Sequence, residues 1–239
     1  MRHWVDRNVE RLGGLLLPPR CVLCGSRGQA PHLDLCIGCQ ASFGAALDPV
    51  LVDHGLLRRC YAPFAYAAPL DHLVHSLKYR GQLATGRVLG TLLADRIAAL
   101  GLHRDVDVIV PVPLHPARHA ERGFNQSAEI ARRLGRRLQL PIDERLAARR
   151  RATAPQVGLH LDERRRNLAD AFLAGAATGR RVAIVDDVTT TGTTLQELAR
   201  DLLRTGAGAV DAWCVARADR RGIQPQARCE PSPAAGRMR

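Results

Sequence analysis

Two groups of residues in this chain have the types and spacing for chemistry. The first is Arg181 to Thr194, RVAIVDDVTTTGTT, in which four apolar residues are followed by two acids and then by hydroxyls around a glycine. The second is a set of four cysteines, Cys21-x-x-Cys24 and Cys36-x-x-Cys39, with eleven residues between the pairs. Carboxylates beside a hydroxyl-rich loop suit a ligand that carries sugar hydroxyls and a phosphate. Thiols paired at CxxC spacing suit a tetrahedral zinc, because each loop presents two thiolates to one side of the metal. Cys21, Cys24, Cys36 and Cys39 leave no open coordination position, so the zinc reads as structural, folding a knuckle too small to hold a core. Cys60 reads as a thiol at a strand start and Cys214 as a core residue.

The elements that must position these groups follow from the apolar pattern. Val182 to Val185 is short, apolar and rich in branched residues, the signature of a buried parallel strand. Asp186 and Asp187 fall where that strand is expected to end. Gly192 permits a tight turn. Thr193 or Thr194 is placed to cap the helix that Leu195, Leu198, Leu202 and Leu203 predict. Strand, acids, hydroxyl loop and helix start make an anion site at the carboxyl edge of an α/β sheet. A second strand, Asp107 to Val112, leads into a polar loop with Arg118 and Arg122. The next helix, through Ile130 and Leu134, is capped by Asn125 or Ser127.

Taken together, the two strand ends describe a site for 5-phosphoribosyl 1-pyrophosphate. Thr189, Thr190, Thr191, Gly192, Thr193 and Thr194 would cradle a monophosphate with amides, hydroxyls and the helix dipole. Asp186 and Asp187 would accept hydrogen bonds from ribose hydroxyls. Arg118 and Arg122 would meet the pyrophosphate, with Mg²⁺ bridging its oxygens. The reaction would displace pyrophosphate from C1 through an electron-poor sugar that carboxylates stabilise. Adjacent residues on an extended chain face opposite sides, so the two acids are expected to take separate roles.

The remaining chain supplies the frame. Residues 2–17 read as an amphipathic helix ended by Pro18 and Pro19. Cys60 to Tyr66 reads as a strand, Leu70 to Leu77 as a helix, Leu83 to Leu100 as a helix stopped by Gly101, and Val210 to Arg217 as a strand. Lys78-Tyr79-Arg80-Gly81 reads equally well as a phosphate contact or as a basic helix end facing solvent. A polar stretch at about 149–168 reads as a flap, anchored by Leu159, Leu168 and Phe172, that would exclude water. The division is 1–59 for the N-terminal helix and knuckle, 60–218 for the main domain, and 219–239 for a disordered basic tail that holds Cys229.

With 239 residues, 46% of them hydrophobic, the chain is large enough for one α/β domain with an appendage. No apolar run reaches transmembrane length, and the N-terminus mixes Asp6, Arg7, Glu10 and Arg11 among its apolar residues, unlike a signal peptide. The expected location is the cytoplasm. A net charge of +12 favours a polyanionic or phosphate-rich partner, although much of it sits in Arg-rich surface stretches. GxxxxGK[ST], GxGxxG after a strand and GxSxG are all missing, which leaves ATPase, dehydrogenase and serine hydrolase without support.

VAIVDDVTTTGTT resembles the phosphoribosyl pyrophosphate signature of type I phosphoribosyltransferases. The knuckle, HSLKYRG at 75–81, VPVPLHPARHAERGFNQS at 110–127, RATAPQVGLHLDERRRNLADAF at 151–172 and the 182–194 signature together resemble the ComF family, competence protein F. That resemblance implies a type I phosphoribosyltransferase-like α/β fold, a parallel sheet flanked by helices, with a small four-cysteine zinc knuckle. It implies the site residues named above, a transferase acting on an unread acceptor base, and a link to DNA uptake in natural transformation. Many relatives carry further cysteine pairs that 42–59 lacks here, which argues against a second zinc. The alternative is a non-catalytic accessory protein that binds single-stranded DNA beside competence proteins. Neither the acceptor nor the oligomeric state is written in the sequence.

Overall fold

The computed structural model of the protein describes residues 19–29, 33–43, 55–150 and 171–218. The expected helix at 2–17, the tail at 219–239 and all of the expected flap beyond Arg150 lie outside the described residues.

Uninterrupted apolar runs make the central strands. β6 (Arg181–Thr189) and β7 (Ala209–Arg217) pair in parallel from Arg181↔Ala209 to Thr189↔Arg217. β7 is buried from Val210 to Ala216, as a strand covered on both faces must be. β3 (Val108–Pro111) flanks β6, and β1 (Arg59–Tyr61) and β2 (Phe64–Ala65) flank β7 in succession, all in parallel. The order across the sheet is β1-β7-β6-β3, with β2 continuing the β1 edge. The stretch expected as one strand from Cys60 to Tyr66 is therefore two short ones. Pro63 stands between them, and without an N–H it can donate nothing to the β7 ladder. β4 (Ala147–Arg149) and β5 (Phe172–Ala174) form a separate antiparallel pair.

Helices cover both faces. α2 (Leu70–Arg80), α3 (Leu83–Ala99) and α5 (Gln126–Leu138) bury Leu73, Val74, Leu77, Leu89, Leu93, Ile130 and Leu134 against Ala183, Val185, Trp213 and Val215. α6 (Thr193–Arg204) buries Leu195, Leu198 and Leu202 against Val182, Ile184, Ala212 and Cys214 on the other face. Gly90 lets α3 and α5 approach closely, because a Cβ there would lie 2.7 Å from Arg133 Cβ and 2.8 Å from the Ile130 carbonyl oxygen. The result is the expected α/β arrangement, a parallel sheet flanked by helices with a four-cysteine knuckle, in which α1 (Ile37–Ala41) is the knuckle's only regular helix among the described residues. Among those residues no helix is long and apolar enough to cross a membrane.

Three local expectations need correction. The acids do not end their strand, since β6 runs on to Thr189. The polar segment after β3 is not all loop. Pro116–Arg122 forms a short helix, α4, started by Pro116 and by His115 Nδ1, which accepts from the Ala117 amide at 3.2 Å. Neither Thr193 nor Thr194 caps α6, because both are already helical. Gly192 takes the cap position at φ 72°, left-handed backbone that favours glycine.

Candidate functional site

The site arises where β6 loses one neighbour. β3 pairs with it only as far as Pro111↔Val185, with one further bond from the Val112 amide to the Val185 carbonyl at 2.9 Å. From Asp186 onward β6 keeps only β7, in register at Asp186↔Cys214 and Val188↔Ala216. The acids thus stand at the mouth of the gap between the β3 and β6 chains. This is where an open α/β sheet offers its ligand crevice.

Asn125 fixes one wall of the gap. Its Oδ1 accepts from the Ser127 amide at 3.0 Å, and its Nδ2 donates to the Val112 carbonyl at 3.0 Å. The start of α5 is thereby tied to the end of β3. The sequence left the cap between Asn125 and Ser127, and the structure gives it to Asn125. Ser127 is freed for another task, and its Oγ donates to Asp186 Oδ1 at 2.8 Å. The same oxygen accepts from the Asp187 amide at 2.9 Å.

Asp187 turns the other way. Lys78 Nζ, from the last turn of α2, lies 2.7 Å from its Oδ2, and its Oδ1 accepts from the Val188 amide at 2.7 Å. Period-two geometry has separated two carboxylates that are adjacent in sequence. Burial, then the neighbouring Asp187 charge, pushes the Asp186 carboxyl up to about 7, against the pull of Ser127 and Lys78. Burial also opposes the charge on Lys78, but the Asp187 carboxylate outweighs it and holds the ammonium above the ordinary lysine value. At neutral pH the pair of acids therefore faces one lysine, and one of the acids is poised between its two protonation states.

The predicted cations divide. Arg118, on α4, lies close enough to Arg149 to depress the latter's pKa, after burial itself, while Asp186 raises it. Arg118, Arg149 and Asp186 thus share one electrostatic neighbourhood. Arg149 also lies 5.5 Å from the Phe172 ring centroid. Arg122 faces elsewhere: its Nη1 donates to Gln126 Oε1 at 2.5 Å, and its guanidinium lies 5.7 Å from the Tyr79 ring centroid. Of the hydroxyl run, Thr189 is a buried member of β6, and Thr190 to Gly192 make the turn. Thr191 Oγ1 and Thr193 Oγ1 lie 2.7 Å apart at the start of the twelve-residue α6.

Sequence reasoning left Lys78 between two readings and did not assign Ser127 or Arg149 to the acids. A signal for Lys78 was present. It stands four residues after Val74, beside the buried stripe Leu70, Leu73, Val74 and Leu77, so its stem runs along the packed face of α2. Ser127 and Arg149 carried no comparable signal, because their contacts cross between distant segments.

The knuckle brings its four cysteines together. The Sγ atoms of Cys21, Cys24, Cys36 and Cys39 all lie within 4.8 Å of one another, and Cys24 Sγ and Cys36 Sγ are 3.7 Å apart. Four thiolates around zinc have sulfur–sulfur edges of about 3.8 Å, so the donor set fits that metal. Hydrogen bonds from Ser26 lower the Cys24 thiol to about 6, and burial pushes Cys39 up. Cys60 and Cys214 lie in β1 and β7, outside this cluster. The acid pair is not a carboxylate cage of the same kind. Its two side chains diverge, and Lys78 already holds one of them.

The chain is 45% identical over 159 residues to the DNA utilization protein YhgH of Escherichia coli K12, covering 64% of this chain and 69% of that protein. It is 34% identical over 212 residues to the competence protein F of Haemophilus influenzae, covering 84% of this chain and 85% of that one. Among solved structures, a purine phosphoribosyltransferase from Pyrococcus horikoshii matches at 22% identity and a TM-score of 0.33, over 54% of this chain and 69% of that one. A likeness that distant carries no weight on ligand or chemistry. No protein-family model matches the chain.

Proposed function

This chain belongs to the competence protein F family, and we propose that it binds 5-phosphoribosyl 1-pyrophosphate at the open edge of β6 and serves DNA utilisation in competence, the terms its relatives' names carry. The observation behind the ligand reading is the acid pair. Two carboxylates diverge at the mouth of the β3–β6 gap, one on Ser127 and one on Lys78, directly before a left-handed Gly192 turn into a helix start. In this reading Asp186 and Asp187 accept from the ribose hydroxyls. Thr190, Thr191, Gly192, Thr193 and Thr194 hold the 5′-phosphate with backbone amides and hydroxyls, and Thr189 supports them from the strand. Arg118 and Arg122 serve the pyrophosphate end. Magnesium, brought on the ligand, would neutralise phosphate charge, and zinc on Cys21, Cys24, Cys36 and Cys39 would hold the knuckle together. The knuckle is built onto the domain at 60–218, since Cys21, Leu33 and Leu35 lie in the same apolar core as Tyr61, Phe64 and Leu73, and Arg87 pairs with Asp34.

The matching reaction is phosphoribosyl transfer. A nitrogen lone pair of the acceptor forms a bond to C1 as the C1–oxygen bond breaks, and the electron pair leaves with pyrophosphate. The acceptor's nitrogen sheds its proton to a base. Asp186, with its carboxyl near 7, is suited to take that proton at neutral pH.

Calorimetric titration of the full chain with 5-phosphoribosyl 1-pyrophosphate and Mg²⁺ tests the site. Asp186→Asn and Asp187→Asn are each expected to abolish measurable binding while zinc content stays unchanged. If both variants bind like the parent, the ligand sits elsewhere. Pyrophosphate release across a panel of bases then tests the transfer itself.

A further inference from the structure

Tyr79 is an anomaly in this fold. It is a large aromatic on the last turn of α2, yet 69% of its surface is exposed. It is also not isolated. The His75 ring, one turn earlier on the same helix and itself exposed, lies with its centroid 4.7 Å away at an interplanar angle of 43°. The Arg122 guanidinium reaches it from α4 at 5.7 Å. Its chain neighbour Lys78 and the Arg122 support lead back to the acid pair. Lys78, the preceding residue, holds Asp187, and Gln126, which accepts from Arg122, precedes the Ser127 that holds Asp186.

We propose that Tyr79, flanked by His75 and Arg122, is a stacking platform for an unpaired base of single-stranded DNA whose neighbouring phosphates meet Arg80 and Arg122. Three observations select this occupant. An aromatic ring left open beside a cation matches the face of a base and the charge of its backbone at once. On the last turn of α2 and on α4, Arg80, Arg118 and Arg122 stand against Glu121 alone among acids, so the local field favours a polyanion. The platform is too open for a free base. Stacking on one ring is worth a factor of roughly 5 to 150 in affinity, which by itself leaves a free base dissociating above millimolar concentration. A polymer adds the phosphate contacts that a free base lacks. A duplex is excluded because its base faces are already covered. The inference rests on the DNA half of the function proposed above and shares Arg122 with its phosphoribosyl half, whereas Tyr79 and Arg80 belong to the platform alone.

The test is fluorescence anisotropy of the full chain with labelled oligo(dT) of about twenty nucleotides. Tyr79→Ala is expected to weaken binding roughly 5- to 150-fold, while Tyr79→Trp restores it and Tyr79→Phe keeps most of it. Since Tyr79 lies on the surface, unchanged thermal melting of these variants is expected alongside. Arg80→Ala should lower the slope of log affinity against log salt by about one, whereas Tyr79→Ala should leave that slope alone. An abasic oligonucleotide of equal length should bind the parent and Tyr79→Ala equally. Equal oligo(dT) affinity of the parent and Tyr79→Ala overturns the platform while leaving DNA binding standing. Loss in Tyr79→Phe equal to that in Tyr79→Ala overturns it too, because the hydroxyl rather than the ring would then be the contact. No binding of oligo(dT) by the parent at low salt overturns the platform and the DNA reading together, and preference for oligo(U) or for duplex overturns the choice of single-stranded DNA.

Discussion

The two ends of the sheet treat buried acid in opposite ways. At the amino ends of the strands, Asp211 on β7 is wholly buried, and two arginines saturate it. Arg58 reaches it through Nε and Nη2, both at 2.9 Å, and Arg59 through Nη2 at 2.5 Å and Nε at 3.0 Å. Asp105 joins the same arginines from outside, and Asp107 pairs with Arg181 beside them. At the carboxyl ends, Asp186 and Asp187 share Lys78 and the Ser127 hydroxyl, and Asp186 is driven towards neutrality. A saturated acid has nothing left to offer a ligand. An under-neutralised pair at an open strand edge does, and it raises the free energy of the unliganded fold. By this contrast the amino end has the character of scaffold and the carboxyl end that of the proposed site.

The strongest way to break the contrast is to strip the cations from the scaffold end. Arg58→Ala with Arg59→Ala leaves Asp211 buried without a partner, and urea unfolding should show a loss of about 3–5 kcal/mol. Arg58→Ala alone should cost less, because Arg59 keeps both of its contacts. If the double variant is no less stable than the parent, Asp211 is not held by those pairs. Lys78→Met repeats the experiment at the site end. Lys78 is partly exposed, so water offsets some of the loss, and a smaller cost of roughly 1–3 kcal/mol is expected. The same variant should drive the Asp186 carboxyl still higher, visible as an upward shift of its titration by carboxyl-resolved NMR.

The two ends were not equally legible in the sequence. β3, β6 and β7 announce themselves as apolar runs, and α3, α5 and α6 as 3.6-residue patterns, because burial on a regular element leaves a periodic trace. The pairs Asp211 with Arg58 and Arg59, and Asp186 with Ser127, join residues 153, 152 and 59 positions apart. No local pattern encodes which cation a strand acid will meet. The separation of Asp186 from Asp187 was legible from the two-residue period alone. That β6 continues past them was not, since Thr189 looks like loop and becomes strand only through its pairing with Arg217. The α4 helix was hidden for a similar reason. Its start rests on His115 and Pro116, in a stretch whose polarity reads as loop.

Neutralising Asp186 should sharpen the contrast in the opposite direction, towards greater stability. Its carboxyl titrates near 7 in the folded chain against an ordinary value of 3.8, so the folded state binds the extra proton between those limits. Stability from this group therefore declines as pH rises from about 4 to 7, and the deficit is complete above that. Asp186→Asn keeps an acceptor for Ser127 and removes the charge. At pH 8 it should be more stable than the parent, on the order of 1–3 kcal/mol, and near pH 4 the two should match. Equal pH profiles for the two proteins would refute the assignment. A gain in stability with loss of ligand binding is the signature expected of a site residue, and Asp211 should show neither.

The smallest effect belongs to Asp107. Arg181 holds it through its side chain at 2.7 Å and 3.1 Å and through its amide at 2.8 Å, and those hydrogen bonds pull the Asp107 carboxyl down to about 2. A depressed carboxyl contributes stability that is present above its ordinary value near 4 and is lost as pH falls towards 2. Both partners are largely exposed, with 44% and 41% of their side-chain surfaces open, so screening by water and salt keeps the contribution well below that of either buried acid. Asp107→Asn should shift the thermal midpoint slightly downward at pH 7 and much less at pH 2. Added salt should shrink the difference at pH 7. Salt should have less effect on the loss in the Arg58→Ala, Arg59→Ala double variant, because that loss comes from a carboxylate solvent does not reach. If salt erased both differences equally, Asp211 would be behaving as a surface charge, and the amino end would not be the dry, saturated scaffold against which the site end is defined.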